Sequence, residues 1–333
     1  MKTTYSRNGQ VELLETEIPE LRDHFVLIRT EYSAISPGTE LALIQKKSNT
    51  TLGNSAVGIV QAAGAGVKGI EEGMRVACYG GPYVKHAEYL LVPKHLAVPV
   101  PPEVDPEHAA FAGIGAIAIH ALRQSGLQFG EVAAVIGLGI LGQLIAQIAL
   151  AAAYQVEAFD VLERRCHAWQ QVSRLPGRHP AEGALEERIA AITGGKGADC
   201  VLLCAGSSGQ RLMDDGIRLL RDRGTLVIVG DPLPAFDRAA LFAKEASIRI
   251  SRAGGPGRYD PHYEKEGVDY PYGYVRWTEG RNTAEFVRLL ADRRIRVGPL
   301  ITHRYDYRDI ERAYAFCREF PSESLGVLIQ YNH

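Results

Sequence analysis

The chain has 333 residues, with 46% hydrophobic and 23% charged side chains, enough for two domains that each bury a core. Its 37 basic and 39 acidic residues leave a formal net charge of -2, which points away from nucleic acid and anionic membranes and leaves a small-molecule substrate as the expected partner. Residues 1–10 are polar and the long apolar stretch 132–154 carries glycines rather than flanking charges, so neither a signal peptide nor a membrane span is expected, and a cytoplasmic location is.

In chain order, short runs broken by glycine and proline predict strands at residues 11–15, 25–33, 55–62, 75–78 and 89–92, an irregular and mostly β domain. The apolar segment 109–122 has helical texture. From Glu131 strands and helices alternate: strand 132–136, helix 140–153, strand 155–160, strand 198–205, helix 209–221, and strands 224–230 and 247–251. Such alternation implies a parallel sheet covered on both faces. A polar, aromatic, glycine-rich stretch follows to about residue 280, then helix 283–293, strand 298–303, helix 309–316 and strand 325–330. This tail is expected to return to the first domain, because Phe286, Leu289 and Leu290 need cover. The expected division is 1–110 as the first part of a catalytic domain, 111–252 as a nucleotide-binding domain, and 253–333 as an aromatic loop plus the return; a homodimer is the expected assembly.

Gly137-Leu138-Gly139-Ile140-Leu141-Gly142 fits G-x-G-x-x-G between an apolar strand and an apolar helix. In that context the first glycine makes the tight turn, the second admits a pyrophosphate to the backbone, and the third lets helix and strand pack closely. Asp160 stands 18 residues past the last glycine, where a carboxylate accepts from an adenosine ribose and repels a 2′-phosphate, favouring NAD(H) over NADP(H). Arg164 and Arg165 pull toward the phosphate. The strand ends at Ala205-Gly206, Gly230-Asp231 and Ser251 are expected at the same crevice.

A Rossmann unit that follows a β-rich domain resembles the medium-chain dehydrogenase/reductase family over nearly the whole chain. Further stretches are similar to family segments: Ser36-Pro-Gly-Thr-Glu40 to C-G-T-D, Gly53-Asn-Ser-Ala-Val-Gly58 to G-H-E-x-x-G, Gly64-Ala-Gly66-Val to V-G-x-x-V, Glu72-Gly-Met-Arg75-Val to G-D-R-V, and His86-Ala-Glu-Tyr-Leu to the A-E-Y strand. The resemblance implies an α/β protein in which a doubly wound Rossmann domain joins a mostly β, GroES-like catalytic domain. Metal-bearing members take zinc from a Cys, a His and an acidic or thiol side chain; by alignment those places here hold Pro37, Asn54 with Ser55, and Gly113. None offers a thiolate, imidazole or carboxylate, so a zinc-independent enzyme is expected. The five cysteines are scattered, and the cysteine-rich lobe of many relatives has no counterpart. Within the family the motifs look most like bacteriochlorophyllide-type dehydrogenases and sugar-linked two-part oxidoreductases.

The resemblance implies NAD(H)-dependent alcohol dehydrogenase or ketoreductase chemistry on a polar hydroxylated molecule: a sugar, cyclitol or natural-product intermediate. An ene or quinone reductase and a non-enzymatic nucleotide-binding protein are the alternatives. Hydride transfer from a carbinol needs a group that exchanges the hydroxyl proton and one that steadies charge on oxygen. Thr39 aligns with the family's proton-relaying hydroxyl. His86 has a suitable titration range, and Glu40 is placed to orient either; a packed histidine and a structural carboxylate are the plainer readings. Asn54, Arg258, Tyr259, Tyr274 and Arg276 are the substrate candidates, since a loop this long and this aromatic suits a cover whose rings stack and whose guanidinium groups bind oxygens.

Overall fold

The computed structural model describes residues 1–178, 185–206, 211–233 and 235–332, and it divides the chain into two compact units, Met1–Ala116 with Ala253–His333 and Ile117–Arg252. The second unit is a six-stranded parallel sheet in the spatial order Gly177–Arg178, Gln155–Phe159, Val132–Ile136, Ala198–Leu203, Leu220–Ile228, Ser247–Ile250. Numbered along the chain this is 3-2-1-4-5-6, so the order reverses between Val132–Ile136 and Ala198–Leu203, and that reversal is where a doubly wound sheet opens its binding crevice. Val132–Ile136 is buried along its whole length. The helix Ile140–Ala151 presses Leu144, Ile145, Ile148 and Ala149 inward, none more than 7% exposed, which explains a sequence apolar on nearly every face.

The first unit carries a seven-stranded sheet in the order Ile301–Asp306, Gly326–Gln330, Phe25–Ala34, Ser55–Ala63, Arg75–Tyr79, Ala97–Pro99, with Tyr89–Pro93 paired to Phe25–Ala34. Its core includes Val26, Ile28, Val60, Val76, Val84, Leu90 and Leu96. The C-terminal strand Gly326–Gln330 pairs antiparallel with Phe25–Ala34, Leu328 opposite Ala34, and this pairing makes the return to the first part of the chain. Gln10–Glu15, Lys2–Arg7 and Thr50–Thr51 form a second, three-stranded sheet, joined to the segment before Tyr89–Pro93 by Thr4 N donating to His86 O at 2.8 Å.

Local expectations are revised at several points. Residues 220–221, expected as the end of the helix 209–221, instead begin the strand Leu220–Ile228, because Leu220 pairs with Ala198; the helix itself is Arg211–Leu219, and the first residues assigned to it, 209–210, lie outside the described residues. The segment after Ser36, for which the sequence predicts no element, forms the helix Pro37–Gln45, whose Pro37 sits where a missing N–H costs nothing. The helix Glu163–Ser173 and the strand Lys2–Arg7 were not foreseen, since neither shows a clean apolar period.

Candidate nucleotide and substrate site

In the second unit, the glycines of the turn do three different jobs. Gly137 has φ +98, a conformation L side chains avoid. A Cβ on Gly142 would stand 1.8 Å from the Gly137 carbonyl oxygen, so helix and turn meet backbone to backbone. Gly139 begins the helix with no side-chain cap, and a Cβ there would meet nothing within 4 Å. Unsatisfied N–H groups facing open space at a helix N-terminus suit an anion, and the residues present therefore fit a dinucleotide pyrophosphate. Ala205 and Gly230 close in beside the turn: a Cβ on Gly137 would lie 2.8 Å from Ala205 N, and one on Gly230 2.5 Å from Ala205 O. Gly206 has open space around it apart from Asp231 O at 3.6 Å. Ser251 N donates to Ile228 O at 2.9 Å, and its buried Oγ has no partner among the described residues. Leu138, Ile140 and Leu141 contribute backbone and packing, Leu138 being fully buried.

Asp160 is not the free carboxylate that the sequence suggested. Its Oδ2 accepts from Leu138 N at 2.7 Å and from Arg165 Nη1 at 3.3 Å, and its Oδ1 accepts from Leu162 N at 2.8 Å. A carboxylate has about four acceptor positions, so roughly one is left for a ribose hydroxyl, and the adjacent guanidinium offsets part of the charge that would repel a 2′-phosphate. Gln143, which was not singled out, also steadies the turn: its Nε2 donates to Arg165 O at 2.9 Å and Leu138 O at 3.3 Å. Its only signal is being one of two amides, with Gln147, in an otherwise apolar helix.

In the first unit the catalytic candidates separate. Thr39 is exposed in the first turn of Pro37–Gln45. His86 and Glu40 do come together, with His86 Nε2 3.0 Å from Glu40 Oε2, but they are 0% and 2% exposed. His86 Nδ1 lies 2.7 Å from Ser33 Oγ, which is 2.9 Å from Tyr331 Oη; Ser36 N donates to Glu40 Oε1 at 2.9 Å, and Tyr314 Oη donates to Glu40 Oε2. Every polar atom of this pair is satisfied inside the core, and burial raises the Tyr314 hydroxyl well above its ordinary range, with the Glu40 charge adding to it. Glu40 does orient His86, as expected of it, but a catalytic role for the pair is corrected, since neither side chain reaches the surface. They are core residues holding the helix Pro37–Gln45 to the sheet.

The aromatic loop is corrected too, because its candidates do not act as one group. Arg258 is buried: its guanidinium donates to Glu264 Oε1 and to the carbonyl of Gly81, with Nε 3.9 Å from Glu279 Oε2. Tyr259 is 56% exposed, stacks its ring 4.1 Å from the Arg258 guanidinium, and donates its N–H to Glu264 Oε1 at 3.0 Å. Tyr274 is 91% exposed. Arg276, also exposed, lies over the rings of Trp277 at 3.8 Å and Tyr272 at 4.6 Å. Much of the loop thus packs on its own rings. What Arg258 does reach is the loop facing Asn54, whose Oδ1 accepts from Gly81 N at 2.9 Å and whose carbonyl accepts from Gly80 N at 3.0 Å. Glu264 and Glu279 were not foreseen, since nothing in their spacing ties them to Arg258.

The positions aligned with zinc ligands do not fit the metal. Ser55 Oγ donates to Ala110 O and accepts from Gly113 N. A Cβ on Gly113 would stand 2.8 Å from Ser55 Cβ and 2.9 Å from Asn54 O, so no ligating side chain has room there. Pro37 offers no donor atom. Among the described residues no group of three or more His, Cys, Asp or Glu side chains could hold a metal ion.

Two family models match the chain, one described as an alcohol dehydrogenase GroES-like domain over residues 22–102 and one described as a zinc-binding dehydrogenase over residues 141–266. The D-xylulose reductase of Saccharomyces cerevisiae is 25% identical over 97% of this chain and 96% of its own length. The sorbitol dehydrogenase of Halalkalibacterium halodurans is 23% identical over 98% and 97%. In fold, the chain matches the galactitol-1-phosphate dehydrogenase structure from Escherichia coli with a TM-score of 0.82 at 20% identity, covering 99% and 100% of the two chains. It matches alcohol dehydrogenase TADH from Thermus sp. ATN1 with a TM-score of 0.81 at 22% identity over all of both. These matches correct the expectation of a zinc-independent enzyme without a zinc cofactor: the model that fits the nucleotide-binding unit is that of a zinc-binding dehydrogenase, and zinc independence is not supported.

Proposed function

We propose, from the premise that this chain belongs to the medium-chain, alcohol-dehydrogenase-like family of oxidoreductases, that it is an NAD(H)-dependent dehydrogenase of polyols and the corresponding ketoses. The observation that carries the proposal is the open, uncapped helix start at Gly139, beside Ala205 and Gly206, with Asp160 holding the turn. Gly137 to Gly142 would receive the pyrophosphate, and the remaining acceptor capacity of Asp160 the ribose. The polyol substrate class is supported by the named activities of D-xylulose reductase and sorbitol dehydrogenase, which align end to end with this chain.

Bound NAD+ supplies the acceptor for a hydride from the carbinol carbon. The chain's own residues must then orient the hydroxyl and take up its proton. Asn54 offers donors for the oxygen, and the exposed hydroxyl of Thr39 is our candidate for passing the proton to solvent. A homodimer belongs to the same proposal: Ser247–Ile250 is an edge strand of its sheet, and Ile250 on it is 73% exposed. The test is a fluorescence titration with NADH and NADPH followed by turnover of sorbitol with NAD+ and of D-xylulose with NADH. Tighter binding of NADH and turnover of either probe are expected; binding without any turnover of polyols or ketoses would defeat the substrate class.

A further inference from the structure

We infer that Asn54 presents its side-chain NH2 group to the substrate's hydroxyl oxygen, and that buried Arg258 is the positioning residue that sets this orientation. The inference rests on the dehydrogenase reading above. A main-chain N–H can only donate, so the amide atom of Asn54 that faces Gly81 N at 2.9 Å is Oδ1. Nδ2 must then point the other way. The Asn54 carbonyl is taken by Gly80 N at 3.0 Å. Both acceptors of the residue are thus used within the loop, while the two Nδ2 hydrogens of this half-buried side chain have no partner among the described residues. Behind Asn54 the backbone is packed too closely to give way, since a Cβ on Gly113 would come within 2.9 Å of Asn54 O. Preset donors of this kind lose little in reorganisation when charge develops on an oxygen.

Arg258 completes the arrangement from 177 residues away in the chain, with its side chain 5% exposed. One arm donates to the Gly81 carbonyl and another to Glu264, and the guanidinium is flanked by the rings of Tyr259 at 4.1 Å and Tyr79 at 5.9 Å. Gly81 is therefore gripped at its N–H by Asn54 and at its C=O by Arg258. A planar fork can hold a carboxylate and a carbonyl together at fixed angles, which a lysine ammonium does not reproduce. Arg258 acts on the reaction through Gly81 and Asn54, with no contact of its own to substrate.

The test pairs Asn54→Asp with Arg258→Lys. Asp keeps an acceptor for Gly81 N and nearly the same shape, but it turns the outward donor into an acceptor. Turnover of sorbitol or D-xylulose should fall about 100-fold, with NADH affinity within about twofold of wild type and the melting temperature nearly unchanged. Arg258→Lys should lower kcat about 10-fold and leave the KM for NADH alone. The double variant should be no slower than Asn54→Asp alone, because the arginine works through the asparagine. If Arg258→Lys does not fold, Glu264→Gln, which frees one arm of the guanidinium, takes its place with the same non-additivity expected. Wild-type turnover by Asn54→Asp overturns the donor role, and losses that multiply in the double variant overturn the positioning role. A wild-type protein inert toward every polyol and ketose overturns the underlying dehydrogenase reading and this inference with it, whereas an active wild type with an indifferent Asn54→Asp overturns only the inference.

Discussion

Asp160 accepts the main-chain N–H of Leu138 at 2.7 Å, tying the end of one sheet strand to the glycine turn 22 residues earlier. The same carboxylate that is expected to meet the ribose is therefore a brace for the pyrophosphate turn. Asp160→Ala leaves a buried N–H without an acceptor, and we expect a loss of about 1–3 kcal/mol in stability together with weaker NADH binding and a smaller preference over NADPH. Thermal unfolding and fluorescence titration check both parts. An unchanged melting temperature would show that the turn holds without its brace.

Burial of His86 and Glu40 makes a prediction opposite to a catalytic role. His86→Ala removes one hydrogen-bond partner from each of Ser33 and Glu40, which keep Tyr331 and Tyr314, so each lost buried hydrogen bond should cost about 0.5–1.5 kcal/mol. The surviving folded fraction should turn over at close to the wild-type rate per active site. A collapse of kcat at unchanged melting temperature would return these residues to the reaction.

Glu279 gives a pH dependence whose sign can be worked out. It is fully buried, neither carboxylate oxygen has a hydrogen-bond partner among the described residues, and Arg258 Nε is 3.9 Å from it. Burial pushes its pKa from 4.5 up to about 8, with Arg258 pulling down and Glu264 pushing up. Between those two values the folded protein keeps a proton that the unfolded chain has released, so this group's contribution to stability is fully present below pH 4.5 and drains away as pH rises toward about 8. Glu279→Gln has no such proton to lose. Its melting temperature relative to wild type should climb across that window and level off above it; a constant difference across the window would contradict the raised pKa.

The exposed edge strand tests the assembly. Ile250→Lys places a charge on Ser247–Ile250, the last strand of the six, and should shift the protein from dimer to monomer in light scattering while leaving its circular dichroism unchanged. A wild-type protein that is monomeric at micromolar concentration would dismiss the dimer.

Much of the nucleotide-binding unit was legible because its signals are local. The apolar run 132–136, the spacing of Gly137, Gly139 and Gly142, and Asp160 at the next strand end all lie within 30 residues, and short-range backbone geometry specifies the turn they build. The sequence also determined that the places aligned with zinc ligands hold Pro37, Asn54, Ser55 and Gly113, but the zinc-independent enzyme expected from them is overturned by the match to a zinc-binding dehydrogenase model. Only tertiary structure showed that His86 and Glu40 are sealed in the core, because burial depends on what distant segments cover, here Tyr314 and Tyr331 from the chain's end. Only tertiary structure brought Arg258 to Gly81. Residues 177 apart carry no mutual signal in a single sequence, and an arginine among tyrosines looks the same whether it faces a substrate, like a ligand-binding fork, or supports the loop that does.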